Sequence, residues 1–196
     1  MAKIGVKDLF AFPITKEEDG VLPTYGEGFR IAKAIQVTLT PQNAEGNLYA
    51  DDGQDEFESS TIGYDISMNT NDLLPDSESK LLGRKIDSLG GVSVTNDDEA
   101  PYHAVGFRVA RSKGVGGGYQ YRILYKVRFS AFAEDYQTKG ESVNFQTPTL
   151  TGKSISRDYD GLFNYKLDDD GSKPAVKAVT DTWFDEVVEP AAPVTP

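Results

Sequence analysis

Carboxylates are the main side chains that could carry chemistry in this 196-residue chain, which holds 31 aspartates and glutamates, one histidine, His103, and no cysteine. Without thiols, disulfides, thiolate metal sites and cysteine nucleophiles fall away together. A serine–histidine relay or a histidine metal triad would hang on His103 alone, and no Gly-x-Ser-x-Gly elbow accompanies it. A core or interface position suits that histidine better.

The acidic turns invite a calcium reading, and the EF-hand spacing tests it. Aligning Asp168, Asp170 and Gly171 puts Lys166 at the first ligand position and Lys177 where the bidentate glutamate belongs; aligning Asp158, Asp160 and Gly161 puts Ser156 first and Leu167 last. Neither is an EF-hand. A looser calcium turn within Asp51-Asp52-Gly53-Gln54-Asp55-Glu56 stays open beside the plainer reading of a solvated acidic turn. The glycine run from Gly114 to Gly118 misses the dinucleotide fingerprint, because Tyr119 stands where the third glycine is needed and a strand follows in place of a helix. A carboxylate pair for sugar hydrolysis depends on separation in space, which linear order does not give. The chemistry-bearing residues therefore point to a chain without catalysis, cofactor or resident metal.

The elements that must position these residues are mostly strands. From Tyr119 to Ala131 apolar and polar residues alternate, with Tyr119, Tyr121, Ile123, Tyr125, Val127, Phe129 and Ala131 on one face and Leu124 the exception. His103, Val105, Phe107 and Val109 alternate in the same way, and the glycine-rich stretch from Ser112 to Gly118 makes the pair a long antiparallel hairpin. Ile35, Val37 and Leu39 mark a third strand; Ile62, Tyr64, Ile66 and Met68 mark a fourth. Val143, Phe145 and Thr147 predict another, broken or bulged at Pro148, and Phe163, Tyr165 and Leu167 close the series. Two short helices follow from proline near a helix start: one from about Pro75 to Leu82, with Asp72 or Leu74 near the cap and Gly83 as the stop, the other from Pro174 after Ser172, with Val176, Val179 and Trp183 on one stripe.

Length and composition fit one folded domain over residues 1–188, followed by a proline-rich tail, 189–196, that reads as disordered or an extended linker. The net charge of −11 opposes any general affinity for nucleic acid. No apolar run reaches the length of a signal peptide or a membrane span, so synthesis in a cytoplasm and no contact with membrane are expected. The oddest segment runs from Pro41 to Ser60. It carries Glu45, Asp51, Asp52, Asp55, Glu56 and Glu58 with no basic residue, Asp65 lies just beyond it, and its only apolar anchors are Leu48, Tyr49 and Phe57. Read as a long inter-strand loop, such a segment is more often functional than accidental.

Taken in order, several segments resemble one family: MAKIGVKDLFAFPIT at the start, LYADDG from Leu48, LLG from Leu81, APYHAVGFR from Ala100, YKVRF from Tyr125, YQTKGESVNFQTPTL from Tyr136 and TWFDEV from Thr182. Together they look like the major tail protein, or tail tube protein, of siphophages that infect Gram-positive bacteria. The resemblance implies a mainly β fold, a tail-tube β-sandwich with one or two short flanking helices. It implies hexameric rings stacked into a tube through which DNA passes without specific binding, and no catalytic role. It also implies a place in the virion tail after assembly in the host cytoplasm. The partners it implies are other copies of the chain together with tape measure, tail chaperone, tail terminator and distal tail proteins. Related tubes use a long loop to reach the neighbouring ring, and by position Leu48, Tyr49, Asp51, Asp52 and Phe57 are the candidates for that contact. The competing reading is a β-sandwich module that binds carbohydrate or a host surface through exposed aromatics such as Tyr102, Tyr119 or Tyr159.

Overall fold

The computed structural model describes residues 2–112, 114, 117–132, 136–138 and 145–191. The fold begins with a long strand, β1 (Lys3–Glu18), followed by β2 (Val21–Tyr25), β3 (Phe29–Ala32), β4 (Ala34–Ala50) and β5 (Gly53–Thr70). Helix α1 (Pro75–Leu82) and a minor ribbon of β6 (Lys85–Ile86) and β7 (Val92–Ser93) separate these from β8 (Tyr102–Arg111), β9 (Tyr119–Ser130), β10 (Thr149–Ser154), β11 (Asn164–Asp169) and α2 (Pro174–Asp181). The chain is mainly β with two short flanking helices, as its alternating sequence requires.

The strands join in one antiparallel sheet in the order β2-β1-β8-β9-β10-β5-β4, with β3 beside β1 and β11 beside β9. Strand β9 is shared lengthwise: β11 takes Tyr119 to Leu124 and β10 takes Val127 to Ser130, both on the edge away from β8. The sheet rolls over itself. Leu9 and Ala11 of β1 share a core with Ile66 and Met68 of β5, although these strands stand far apart in the hydrogen-bonded order. The expected sandwich is thus one rolled sheet whose two ends face each other.

The two faces bury separate cores. The inner core gathers Leu9, Ile31, Ile66, Met68, Val105, Leu124, Phe129 and Leu150 around Leu81 and Leu82 of α1. On the outer face Phe12, Ala104, Tyr121, Ile123 and Tyr125 are covered by Trp183, just past α2. Each fully buried side chain of this kind contributes roughly 1.5–3 kcal/mol. Helix α1 persists by covering such surface with Leu81 and Leu82, whereas α2 buries only Thr180; Val179 is exposed and Trp183 lies past the helix end, so the expected stripe of Val176, Val179 and Trp183 on that helix is corrected.

Strand β9 serves both cores because it carries an extra residue. Val105 lies opposite Leu124 whereas His103 lies opposite Val127, so β8 advances two residues while β9 advances three. This bulge reverses the alternation. Tyr121, Ile123 and Tyr125 face the outer core, while Leu124, Val127 and Phe129 face the inner one. The single apolar face predicted from Tyr119 to Ala131 is corrected accordingly, and Leu124 is no exception to the pattern.

Strand β1 has a bulge of the same kind: Lys7 pairs with Arg108 and Phe10 with Gly106, and Asp8 between them adopts φ 55°. The Asp8 carboxylate accepts a hydrogen bond from Arg108 Nε at 2.6 Å and stands 3.5 Å from a terminal nitrogen of Arg30, which stabilises the unusual backbone. Helix α1 starts at Pro75 and stops at Gly83, whose φ is 70°. A Cβ there would meet the carbonyl oxygen of Glu99 at 2.2 Å, so both conformation and space demand glycine.

Two further expectations change. The strand predicted through Val143, Phe145 and Thr147 is not formed over 145–148; Val143 lies outside the described residues, Phe145 is exposed, and β10 begins only after Pro148. The segment from Pro41 to Ser60 is not a loop: it is the outer half of the β4–β5 hairpin. Of the glycine-rich stretch, residues 113, 115 and 116 lie outside the described residues, as do residues 192–196 of the terminal tail. Glu189, at the start of that tail, is fixed to the body by an ion pair with Arg157.

Candidate functional site

The β4–β5 hairpin divides into a base that helps build the inner core and an arm that is exposed along its whole length. At the base Ile66 and Met68 are buried and Val37 and Leu39 pack against them. Every residue from Thr40 to Ile62 is exposed. The nine residues from Gln42 to Ala50 reach about 30 Å at the usual rise per strand residue.

The arm holds its shape through its own ladder, with pairs running from Gln42 opposite Gly63 to Ala50 opposite Gly53. It closes in a two-residue turn in which Asp51 and Asp52 adopt φ 48° and 62°. Positive φ at both central positions is the primed geometry that matches strand twist, and aspartate tolerates it better than most residues. Side chains bridge the ribbon too, as where Gln54 Nε2 donates to Asn47 Oδ1 at 2.9 Å and Thr61 Oγ1 to Asn43 Oδ1 at 3.1 Å.

The candidate contact residues all lie on this arm, but on different faces. Leu48 stands opposite Glu56, and Gly46 opposite Glu58, so one face presents a leucine flanked by two carboxylates. Phe57 stands opposite Asn47 on the other face, which Tyr49, two residues on from Asn47, also shares. Asp51 and Asp52 form the tip. Leu48, Tyr49 and Phe57 are 55%, 69% and 54% exposed, which for large apolar side chains on a ribbon with no core is an unmet burial requirement.

Strand β4 pairs only with β5 among the described residues, so its outer edge carries open backbone donors and acceptors from Ala34 to Ala50. Such an edge templates further strand pairing unless it is guarded. Pro41 and the arm's carboxylates are the guards present here.

Elsewhere, no group of three or more histidine, aspartate or glutamate side chains converges as a metal-ligand set among the described residues. His103 is fully buried, its Nδ1 lies 3.1 Å from the Pro101 carbonyl oxygen, and its ring packs near Phe29 and Phe129. Burial pushes its pKa down to about 4, which keeps it neutral at physiological pH. The tyrosines of the surface-binding reading do not share one platform. Tyr102 and Tyr119 sit at opposite ends of the β8–β9 hairpin, Tyr102 under Lys126 and Arg128 and Tyr119 under Lys7 and Arg108, while Tyr159 lies against Arg157.

Arg122 is a residue that sequence reasoning missed. Its position in β9 reads as an ordinary outward-facing cation, yet its Nε is buried without a hydrogen-bond partner, and among the described residues it joins no ion pair. Only tertiary structure reveals that vacancy. No family model and no curated protein matches the chain.

Proposed function

We infer that this chain is a self-assembling structural subunit, the tube-forming major tail protein of a long-tailed phage, acting through contacts between copies and without catalysis. One observation carries the reading: the β4–β5 arm from Thr40 to Ile62 is exposed along its whole length while displaying Leu48, Tyr49, Phe57 and Ile62. A two-stranded ribbon is marginal in water, and apolar side chains on one without a core favour a partner surface. The ordered resemblance to siphophage tail proteins makes that partner another copy, in a ring or in the next ring of a stack. Open backbone groups on β4 suit lateral joining of sheets, because closing a ring pairs edges that would otherwise aggregate. The net charge of −11 suits a conduit from which DNA must slide free.

The experiment replaces residues 44–60 by an Asn-Gly turn joining Asn43 to Thr61, which are paired in the native ladder. The unaltered protein forms rings or tubes visible by negative-stain electron microscopy at high concentration. The shortened variant keeps its fold, judged by circular dichroism and thermal melting, and fails to stack. A full-length protein that stays monomeric at high concentration, or a shortened one that polymerises normally, would overturn the reading.

A further inference from the structure

The mouth of the inner core is a groove of about 340 Å³ between the amino-terminal half of β1 and the base of β4, where the two ends of the rolled sheet approach without hydrogen-bonding. Its apolar lining includes Val37, Leu39, Phe107 and Val109. Its charged lining is Lys3 and Arg122, with no carboxylate, in a chain that carries 31 acids against 20 basic residues. Several arginines and a lysine elsewhere in the body are matched: Arg108 by Asp8, Lys126 by Glu17 and Asp158, Arg128 by Glu99, Arg157 by Asp160 and Glu189. Arg122, with Nε buried and unpartnered, is not. A guanidinium partly removed from water without an acceptor is unfavourable, and a carboxylate brought to it forms a charge-assisted bond.

The complementary surface is on the arm. The face bearing Leu48, Glu56 and Glu58 presents one aliphatic side chain between two carboxylates, against an aliphatic groove with two cations. The arm cannot reach the groove of its own chain, because β4 runs through the groove at its base and then carries the arm outward, exposed throughout. We propose that this groove receives the Leu48–Glu56–Glu58 face of the arm of a second copy, with Leu48 entering among Val37, Leu39, Phe107 and Val109 and the two glutamates meeting Arg122 and Lys3. The proposal rests on the assembly reading above and supplies the receptor that reading leaves unspecified. Complementary charge fixes which arm face enters and in which register.

The absence of native cysteine allows a direct test by disulfide trapping. A variant carrying Leu48→Cys and Val109→Cys, oxidised at a concentration where the protein assembles, yields covalently linked multimers; a control carrying Leu48→Cys and Ile86→Cys, the latter exposed on the minor ribbon, does not. Arg122→Glu weakens assembly on the order of tenfold or more, and combining it with Glu56→Arg restores it in part. Arg122→Gln, which keeps a polar side chain of smaller bulk, serves if the charge reversal impairs folding. Assembly that requires the arm but proceeds unchanged in both Arg122 variants, without the Leu48–Val109 link, would sink the groove while leaving the tube subunit standing. No assembly at all in the unaltered protein would sink both. Stabilisation of a monomer by decanoate, without cross-linking, would assign the groove to a small anionic amphiphile and overturn the proposal.

Discussion

Arg157 sits over Tyr125, its guanidinium carbon 4.1 Å from the ring centroid, and both side chains are buried. The two together fasten the carboxyl-terminal segment. Arg157 donates to both oxygens of Glu189, at 2.8 and 2.6 Å, and to Asp160, while the Tyr125 hydroxyl donates to the Val188 carbonyl at 2.9 Å. Burial alone would lower the arginine pKa, but the carboxylates on either side outweigh it and raise it, so this cation persists at any accessible pH.

Removing that cation strands two carboxylates and empties the space over the tyrosine ring. Arg157→Ala is expected to destabilise the fold by about 3 kcal/mol, and Glu189→Gln by about 1 kcal/mol because the remaining partners stay in place. Urea denaturation measures both. Equal effects would show that Glu189, not the arginine stack, carries the clamp.

His103 predicts a pH dependence that can be isolated because it is the chain's sole histidine. Its folded-state pKa of about 4 lies below its ordinary value of 6.5, so the unfolded chain binds the proton first as pH falls. Its contribution is present above pH 6.5 and is lost progressively between 6.5 and 4, by roughly 3 kcal/mol at most. His103→Gln flattens stability across that window, measured as the denaturation midpoint at pH 7, 6, 5 and 4.5. A variant with the parent's slope would remove His103 as the cause.

Trp183 is the chain's one tryptophan and is fully buried over the outer core, tilted against Tyr121 at 5.3 Å and stacked on Tyr165 at 6.0 Å. Its indole nitrogen has no hydrogen-bond partner. Trp183→Ala should therefore cost about 3–5 kcal/mol through the cavity it leaves, whereas Trp183→Phe forfeits no hydrogen bond and costs much less. Thermal melts of the pair distinguish shape from polarity, and in the parent the emission of this residue reports unfolding of the outer core.

Gly83 ends α1 in a conformation and a space that exclude a side chain. Gly83→Ala is expected to destabilise by about 2 kcal/mol through backbone strain and the clash with Glu99. A change below a few tenths of a kcal/mol in chemical denaturation would mean that the loop at Glu99 yields freely.

The sequence made legible those elements whose burial is one-sided and uninterrupted. Val37 and Leu39, Ile66 and Met68, Tyr165 and Leu167 alternate cleanly because one face meets a core, and Pro75 and Pro174 marked both helix starts. Strands β1, β2 and β3 escaped. In β1 the extra residue at Asp8 breaks the period, and beyond it Phe10 and Phe12 face one core while Leu9 and Ala11 face the other. The arm looked like a loop because a ribbon exposed on both sides leaves no alternation to read, and only the ladder from Gln42 to Ala50 reveals it. Its residues were still recognisable as unusual by charge and by the isolation of Leu48, Tyr49 and Phe57. Arg122 was invisible as a candidate because its significance lies in the carboxylate it lacks.

Since residues 40–62 are exposed throughout, substitutions of their outward side chains leave both cores of the body untouched. The turn at Asp51 and Asp52 is accordingly a position where a short foreign peptide can be displayed while the body stays intact. On the proposed arm-in-groove contact, two populations with reciprocally recoded arms and grooves are expected to sort into separate assemblies in one test tube.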